Sequence, residues 1–558
     1  MFRKIIFIIA FFCSFLTLFG SHVPDDKILV FHLKPMFDNS GKATSIHVFY
    51  EVVFEDDQLS HNLTLDFDLL ENHGRNADKI YDLVVKDKDG IVKINQPEKV
   101  AEYNVMAYDA AREVHGKVTV EYTVTAASPI RKGGSNIDMQ ASGGGLTGSL
   151  MSILLIPSYE KDMFVKLVWD IPEGHTAVSS FGTGNTTSSV KLSYGKLMYT
   201  QFIVGKLKTY PIPLPEKGFS VAGLGLDDDR IGDSFSKFKN MYEYLNSQFH
   251  ASPDVAFRFF YRSYPELLSQ SGTAVQGEGY GSFLLCIPYS EKLKDNDNLF
   301  SLVAHEMMHI FISGLDEEWF REGIADYLSI ILPYKGKFYS KEFYLRSINQ
   351  KAAQYYTNNL RKVPDSAVGP LKFSTANSWT LSYSRGFLYF ASLDAKLRTL
   401  GKDRKTTVLS LAMQLEKLGK SQEINENTWV ELIRKEAGDW AVKDWQSMKN
   451  GDLIMPIPGA FGNDVMVEKI KTGIFDLGFG KSVSISKGQI VSNLEKDSNA
   501  EKAGLREGDE IVEFIYLKPY FSSFDKMLTV KVKRNEKILS FTYNPRKGVV
   551  DGYRWVEK

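Results

Sequence analysis

Cysteine is almost absent: the 558 residues hold two, Cys13 and Cys286. Cys13 lies in the apolar run Ile5 to Phe19, so the rest of the chain carries one thiol and no intramolecular disulfide. Cys286, inside the apolar stretch Phe283 to Ile287, reads as a small buried hydrophobe. Charge imbalance is missing too. A formal net charge of −1 provides no basic footprint for a nucleic acid. Low-complexity tracts, long like-charge blocks and internal apolar runs of membrane-spanning length are also lacking, which leaves an ordinary globular composition and a length that implies several domains.

The beginning of the chain is distinctive. Arg3 and Lys4 precede the apolar run, and Gly20, Ser21 and a polar continuation follow it. This pattern predicts a secretory signal peptide over residues 1–22, with an uncleaved N-terminal anchor as the alternative, and hence a secreted or periplasmic, envelope-associated protein. It leaves the membrane no other hold on the chain.

From about residue 23 to 207 the text alternates apolar and polar residues in short segments, among them Ile46 to Phe54, Lys117 to Val124 and Met163 to Trp169. Asn, Asp, Gly and Pro clusters separate them, so the expected fold is an all-β sandwich. The Gly/Ser-rich stretch from Gly133 to Gly148 reads as a loop. Pro211, Pro213 and Pro215 then mark a linker, and residues 208–455 become mainly helical, interrupted by one β portion from Phe257 to Ile287. Residues 465–558 change character again.

The helical region carries the chemistry. His305, Glu306 and His309 form an HExxH pattern, and thirteen residues later Glu322 stands in Trp319-Phe-Arg-Glu-Gly-Ile-Ala-Asp-Tyr327. On a helix, positions i and i+4 share a face, so both imidazoles can reach one metal ion with Glu306 beside it. Two nitrogens and one carboxylate leave the fourth position of a tetrahedral zinc open, the mark of a catalytic rather than a structural site. Asp316, Glu317 and Glu318 compete as third ligand but sit in the connecting turn. Glu322 is preferred because Trp319, Phe320, Ile324 and Tyr327 give its segment an apolar face with which to dock. The metzincin pattern fails, since Ile312 and Leu315 occupy its Gly and ligand positions. Asp326, one turn after Glu322, is placed to orient His305 or His309 through the second ring nitrogen.

The last hundred residues contain Asp476-Leu-Gly-Phe479, Gly488-Gln-Ile-Val491 and Ala500-Glu-Lys-Ala-Gly-Leu-Arg-Glu-Gly-Asp-Glu-Ile511. In that order and spacing they resemble a PDZ domain, a module that binds extended peptide by strand addition. With a β-rich first domain and a gluzincin-like helical domain, the whole chain resembles the PDZ-bearing glycyl aminopeptidase family of zinc metallopeptidases. The matching pieces are Val120-Glu-Tyr-Thr-Val124 followed by Ile130-Arg131, Leu302-Val-Ala-His-Glu-Met-Met-His309, Trp319-Phe-Arg-Glu-Gly323, and Tyr383-Ser-Arg-Gly386 leading into Leu393-Asp394.

The resemblance implies a thermolysin-like catalytic domain, Zn2+, peptide substrates and a peptide ligand for the PDZ domain. It points to Glu306 as general base and to Tyr383 as the donor to the developing oxyanion. It also implies that Gly277, Glu278 and Gly279, which stand in the stretch Gly277 to Ser282, correspond to a strand motif whose glutamate holds the substrate's free amino group. The Glu-to-Ser spacing is kept, but Gly279 replaces the family's His. The expectation is a zinc aminopeptidase. A zinc endopeptidase that recruits substrate through its PDZ domain, and a noncatalytic peptide-binding protein, stay open.

Overall fold

The computed structural model describes residues 28–54, 60–68, 79–100, 105–126, 137–157, 162–188, 191–251, 255–265, 271–277, 280–312, 315, 317–371, 375–400, 406–419, 421–480 and 484–558. The expected signal peptide, Ile130-Arg131, Glu278 and Gly279 lie outside these residues. Among the described residues no helix is long and apolar enough to cross a membrane.

By its contacts the chain divides into two units, one of residues 1–246 with 250–300 and one of residues 247–249 with 301–558. The first is β-rich. A seven-stranded sheet runs in the order Thr186–Thr187, Val165–Trp169, Leu29–Phe37, Ala43–Val52, Val118–Thr125, Ile80–Asp87 and Gly90–Val92. The three alternating segments anticipated from sequence are strands of this sheet, with boundaries within a few residues of those expected. Leu29–Phe37 buries every second residue, as a strand with one face on a core must. That core joins Phe31, Leu33, Val48, Tyr50 and Tyr122 to Leu65, Phe67 and Leu155 of a four-stranded sheet.

The Gly/Ser-rich stretch is not wholly a loop. Its second half forms the hairpin strands Gln140–Ser142 and Gly145–Ser149. Glycine is needed there for close approach rather than flexibility: a Cβ on Gly145 would lie 2.3 Å from the Val204 carbonyl oxygen, and one on Gly148 2.8 Å from Met139 Cα. A second departure from the sequence reading is Gly218–Leu224, a strand directly after the proline-marked segment. It pairs in parallel with Ala256–Tyr264, which pairs in parallel with Tyr280–Pro288, while Ser271–Gly277 closes that edge antiparallel. All nine residues of Ala256–Tyr264 are buried, as expected of a parallel strand covered on both faces. Cys286 is buried in the neighbouring strand, its Sγ 3.1 Å from Arg262 Nε.

The second unit is helical through residue 449. Helix Asp297–Phe311, which carries HExxH, starts in the first unit and continues into the second. It is followed by Glu318–Lys335, Lys341–Tyr356, Ala376–Leu397, Val408–Gly419, Glu426–Ala437 and Asp439–Lys449. Capping boxes begin two of them, at Thr375 with Ser378 and at Asn425 with Thr428. The C-terminal segment returns to β structure. A long antiparallel pair, Val465–Phe475 with Arg546–Glu557, packs on helix Lys341–Tyr356, where the Asn349 amide bonds the backbone N–H and carbonyl of Trp555 at 2.8 and 2.7 Å. Beyond the pair, short strands surround a separate core of Phe475, Leu477, Phe479, Ile485, Val491, Leu505, Ile511 and Val530.

Candidate metal centre

The asparagine before the HExxH helix starts it, Asn296 Oδ1 accepting the Leu299 N–H at 3.1 Å. Ala304, Met307 and Met308 anchor its buried face. The helical spacing then sets His305 and His309 side by side, with ring centroids 4.9 Å apart. Helix Glu318–Lys335 brings Glu322 to the same point. Its Oε2 lies 3.2 Å from His305 Nε2 and 3.5 Å from His309 Nε2, and the two Nε2 atoms are themselves 3.2 Å apart. These three residues each place a ligand atom within 4.8 Å of the others. Of the competing acids, Glu317 stands at the N-cap position of the second helix with its carboxylate 3.8 Å from Lys449 Nζ, Glu318 pairs with Arg321 at 2.6 Å, and Asp316 falls outside the described residues.

The convergence depends on how the carboxylate helix meets helix Ala376–Leu397. A Cβ on Gly386 would sit 1.9 Å from the Trp319 carbonyl oxygen, and one on Gly323 2.4 Å from Gly386 Cα. Two glycines therefore let the backbones touch. The crossing places the Tyr383 ring 6.1 Å from that of His305, nearly parallel to it. Arg385 of the same Tyr-Ser-Arg-Gly segment is 1% exposed and donates to the carbonyl oxygens of Leu360, Arg361 and Val363, so its task is to hold the preceding loop. Asp394 accepts from the Tyr327 hydroxyl and the Val408 N–H, tying three helices together.

Asp326 completes the arrangement: its Oδ1 is 3.0 Å from His305 Nδ1, and its Oδ2 accepts from Lys351 Nζ. It orients His305, one of the two imidazoles the sequence left open. The Nδ1 bond fixes that nitrogen as a donor and turns the Nε2 lone pair toward Glu322 and His309. Arg321 Nε, 3.2 Å from Glu322 Oε1, occupies the oxygen that points away from the histidines. Sequence reasoning missed Arg321 and Lys351, because neither belongs to the HExxH pattern and Lys351 comes from a third helix.

Electrostatics follow from burial and from these contacts. Burial pulls His305 toward its neutral form, but the Asp326 and Glu322 carboxylates outweigh it and push its pKa up to about 10. Glu306 is raised by burial, with the two imidazoles acting against that. Burial also works against ionised Glu322 and Asp326. For Glu322 the imidazoles prevail and hold it well below the ordinary carboxylate range, and for Asp326 Lys351 and His305 lower it. Burial, reinforced by Glu322, Glu318, Asp326 and Glu306, raises Tyr383 well above an ordinary phenol, which keeps its hydroxyl a donor.

Gly277 is the last residue of Ser271–Gly277 and pairs with Tyr280, whereas Glu278 and Gly279 lie outside the described residues. Among the described residues a second group, Asp87, Asp89 and His115, also brings ligand-type atoms together. There Arg112 engages both Asp87 oxygens at 2.6 and 2.8 Å, which makes the group an ion-pair cluster.

No family model and no curated protein matches the sequence. Solved structures do match the fold. An aminopeptidase N family protein from Idiomarina loihiensis is similar with a TM-score of 0.68 at 16% identity, covering 95% of this chain and 98% of that one. An M1 zinc metallopeptidase from Deinococcus radiodurans is more distant, with a TM-score of 0.45 and 15% identity over 79% of this chain and 97% of that one. A β-rich first part followed by a helical region is thus a fold this chain shares with the Idiomarina protein over nearly the whole of both chains.

Proposed function

We propose that this protein is a zinc-dependent peptidase that acts as an aminopeptidase. One observation carries the reading: His305 Nε2, His309 Nε2 and Glu322 Oε2 converge within hydrogen-bonding range, with Glu306 on the same helix and Tyr383 stacked beside His305. Three Lewis-base atoms at one point are satisfied together by a shared cation. Two imidazole nitrogens and one carboxylate form a donor set suited to zinc, and the bonds from Asp326 and Arg321 aim that set. The fold shared with an aminopeptidase N family protein supports the same reading.

When bound, zinc supplies Lewis-acid polarisation of a carbonyl and lowers the pKa of water at the site. The remaining steps belong to the chain. Glu306, half-buried beside the two ligand imidazoles, accepts the proton of the attacking water and passes it to the leaving nitrogen, a role that typically contributes about 10² to 10⁴ in rate. Tyr383 donates its hydroxyl hydrogen to the oxygen on which negative charge develops. Glu278 is assigned to the substrate ammonium, with Gly277 and Gly279 giving the backbone close access.

The C-terminal segment is read as a PDZ domain with a peptide ligand, supported by its separate core and by Gly478 and Gly480 at φ 78° and 56° in the Asp476-Leu-Gly-Phe-Gly turn. The leader directs the protein to the envelope or the exterior. Chelator-sensitive hydrolysis of short peptides, each offered with a free and a blocked amino terminus, tests the function. Cleavage of free-amine peptides alone is the expected result. Cleavage of blocked peptides would make the protein an endopeptidase and remove Glu278 from its role, and no cleavage by zinc-replete protein would leave a binding protein.

A further inference from the structure

Lys351, on helix Lys341–Tyr356, joins two parts of the site that the sequence motifs leave separate. Its Nζ donates to Asp326 Oδ2, the oxygen not engaged by His305, and lies 5.8 Å from the centroid of the Tyr383 ring. The two side chains of the ion pair are 17% and 8% exposed, so bulk water is a poor alternative partner for either charge. A carboxylate bonded through one oxygen to one imidazole can still swing about its terminal torsion. An ammonium on the second oxygen removes that freedom, and a cation within about 6 Å of an aromatic face also attracts the ring.

We propose that Lys351 is a positioning residue of the metal centre: it pins Asp326 so that His305 presents Nε2 in one orientation, and it holds the Tyr383 ring with the same charge. The inference rests on the zinc-peptidase reading above.

The C-terminal segment sets where Lys351 stands. One turn beyond Lys351, Gln354 Nε2 donates to Ser522 Oγ at 2.7 Å. One turn before Tyr383, the Trp379 ring meets Phe521 with centroids 6.4 Å apart, and Trp379 packs against the C-terminal core. Neighbouring residues of one short segment, Phe521 and Ser522, thus brace the two helices that bear Tyr383 and Lys351.

The test measures zinc affinity by competition with a chromogenic chelator, in the full chain, for wild type, Lys351→Met, Lys351→Gln and Lys351→Arg, with thermal unfolding of each. Lys351→Met should lose roughly 10- to 100-fold in zinc affinity, the range for partners that orient a ligand, while Lys351→Arg stays within about threefold of wild type. At saturating zinc, the Met variant should show lowered kcat with KM little changed. If it fails to unfold cooperatively, Lys351→Gln, which keeps a donor and removes the charge, serves instead, with an expected loss of about tenfold. Affinity within about twofold of wild type in a folded Met or Gln variant overturns the positioning role and leaves the metal site standing. A wild-type protein whose zinc binding is absent, or indifferent to His305 and His309, overturns both.

Discussion

Gly323 and Gly386 pack backbone against backbone, and a methyl group on either would fall within 2.7 Å of main-chain atoms of the opposite helix. One follows the metal-ligand candidate Glu322 and the other lies three residues beyond Tyr383, so their contact sets the distance between the carboxylate and the phenol. Gly386→Ala should destabilise the protein by about 3 kcal/mol, since the clash is with backbone and no side chain can yield. Because displacement of catalytic groups by about 1 Å can cost about 10² in rate, activity should fall further than stability accounts for. Thermal unfolding and kcat on the same preparation separate the two losses.

Glu306→Gln keeps the shape of the side chain and removes its proton-accepting capacity. Zinc content should match wild type while turnover falls by roughly 10² to 10⁴ or more. Unchanged turnover in a metal-replete variant would eliminate Glu306 as the base.

Tyr383→Phe keeps the ring that stacks on His305 and lies under Lys351, and deletes only the hydroxyl. The expected loss is about 10² to 10³ in kcat, with zinc affinity unchanged. A fall in zinc affinity would instead give Tyr383 a structural part in the metal centre.

In the C-terminal core, Asp509 accepts from Arg534 Nε and Nη2 at 2.6 and 2.7 Å and from the Arg506 N–H at 2.9 Å. Burial raises its pKa, but the Arg534 bonds and the Arg506 N–H outweigh that and lower it. A depressed folded-state value means that the stability from this carboxylate is present above the unfolded pKa of about 4 and disappears as pH falls through the lower folded value. Melting of the C-terminal segment should therefore become acid-sensitive below pH about 4 in wild type. Asp509→Asn should melt lower at neutral pH and show a flatter acid limb, read by circular dichroism across pH.

What the sequence determined by itself is local. Metal-ligand spacing in a helix follows from 3.6 residues per turn, so His305, Glu306 and His309 declare their common face without reference to any other element. The alternation around Ile46, Lys117 and Met163 declared strands for the same reason. Where backbone demands overrode composition, the sequence misled: the Gly-rich residues 140–149 are paired strands because only glycine fits the close approach there, and Gly218–Leu224 is a strand whose short, glycine-bounded run resembles linker.

Tertiary structure decided the rest of the site. Asp326 selects His305 over His309, Arg321 occupies the other oxygen of Glu322, and Lys351 arrives from a helix that no motif connects to the candidate metal ligands. Those choices depend on how closely helices cross, which Gly323 and Gly386 permit and the C-terminal residues Phe521 and Ser522 brace. Crossing distance is a property of packed backbones and has no periodicity to be read along a chain.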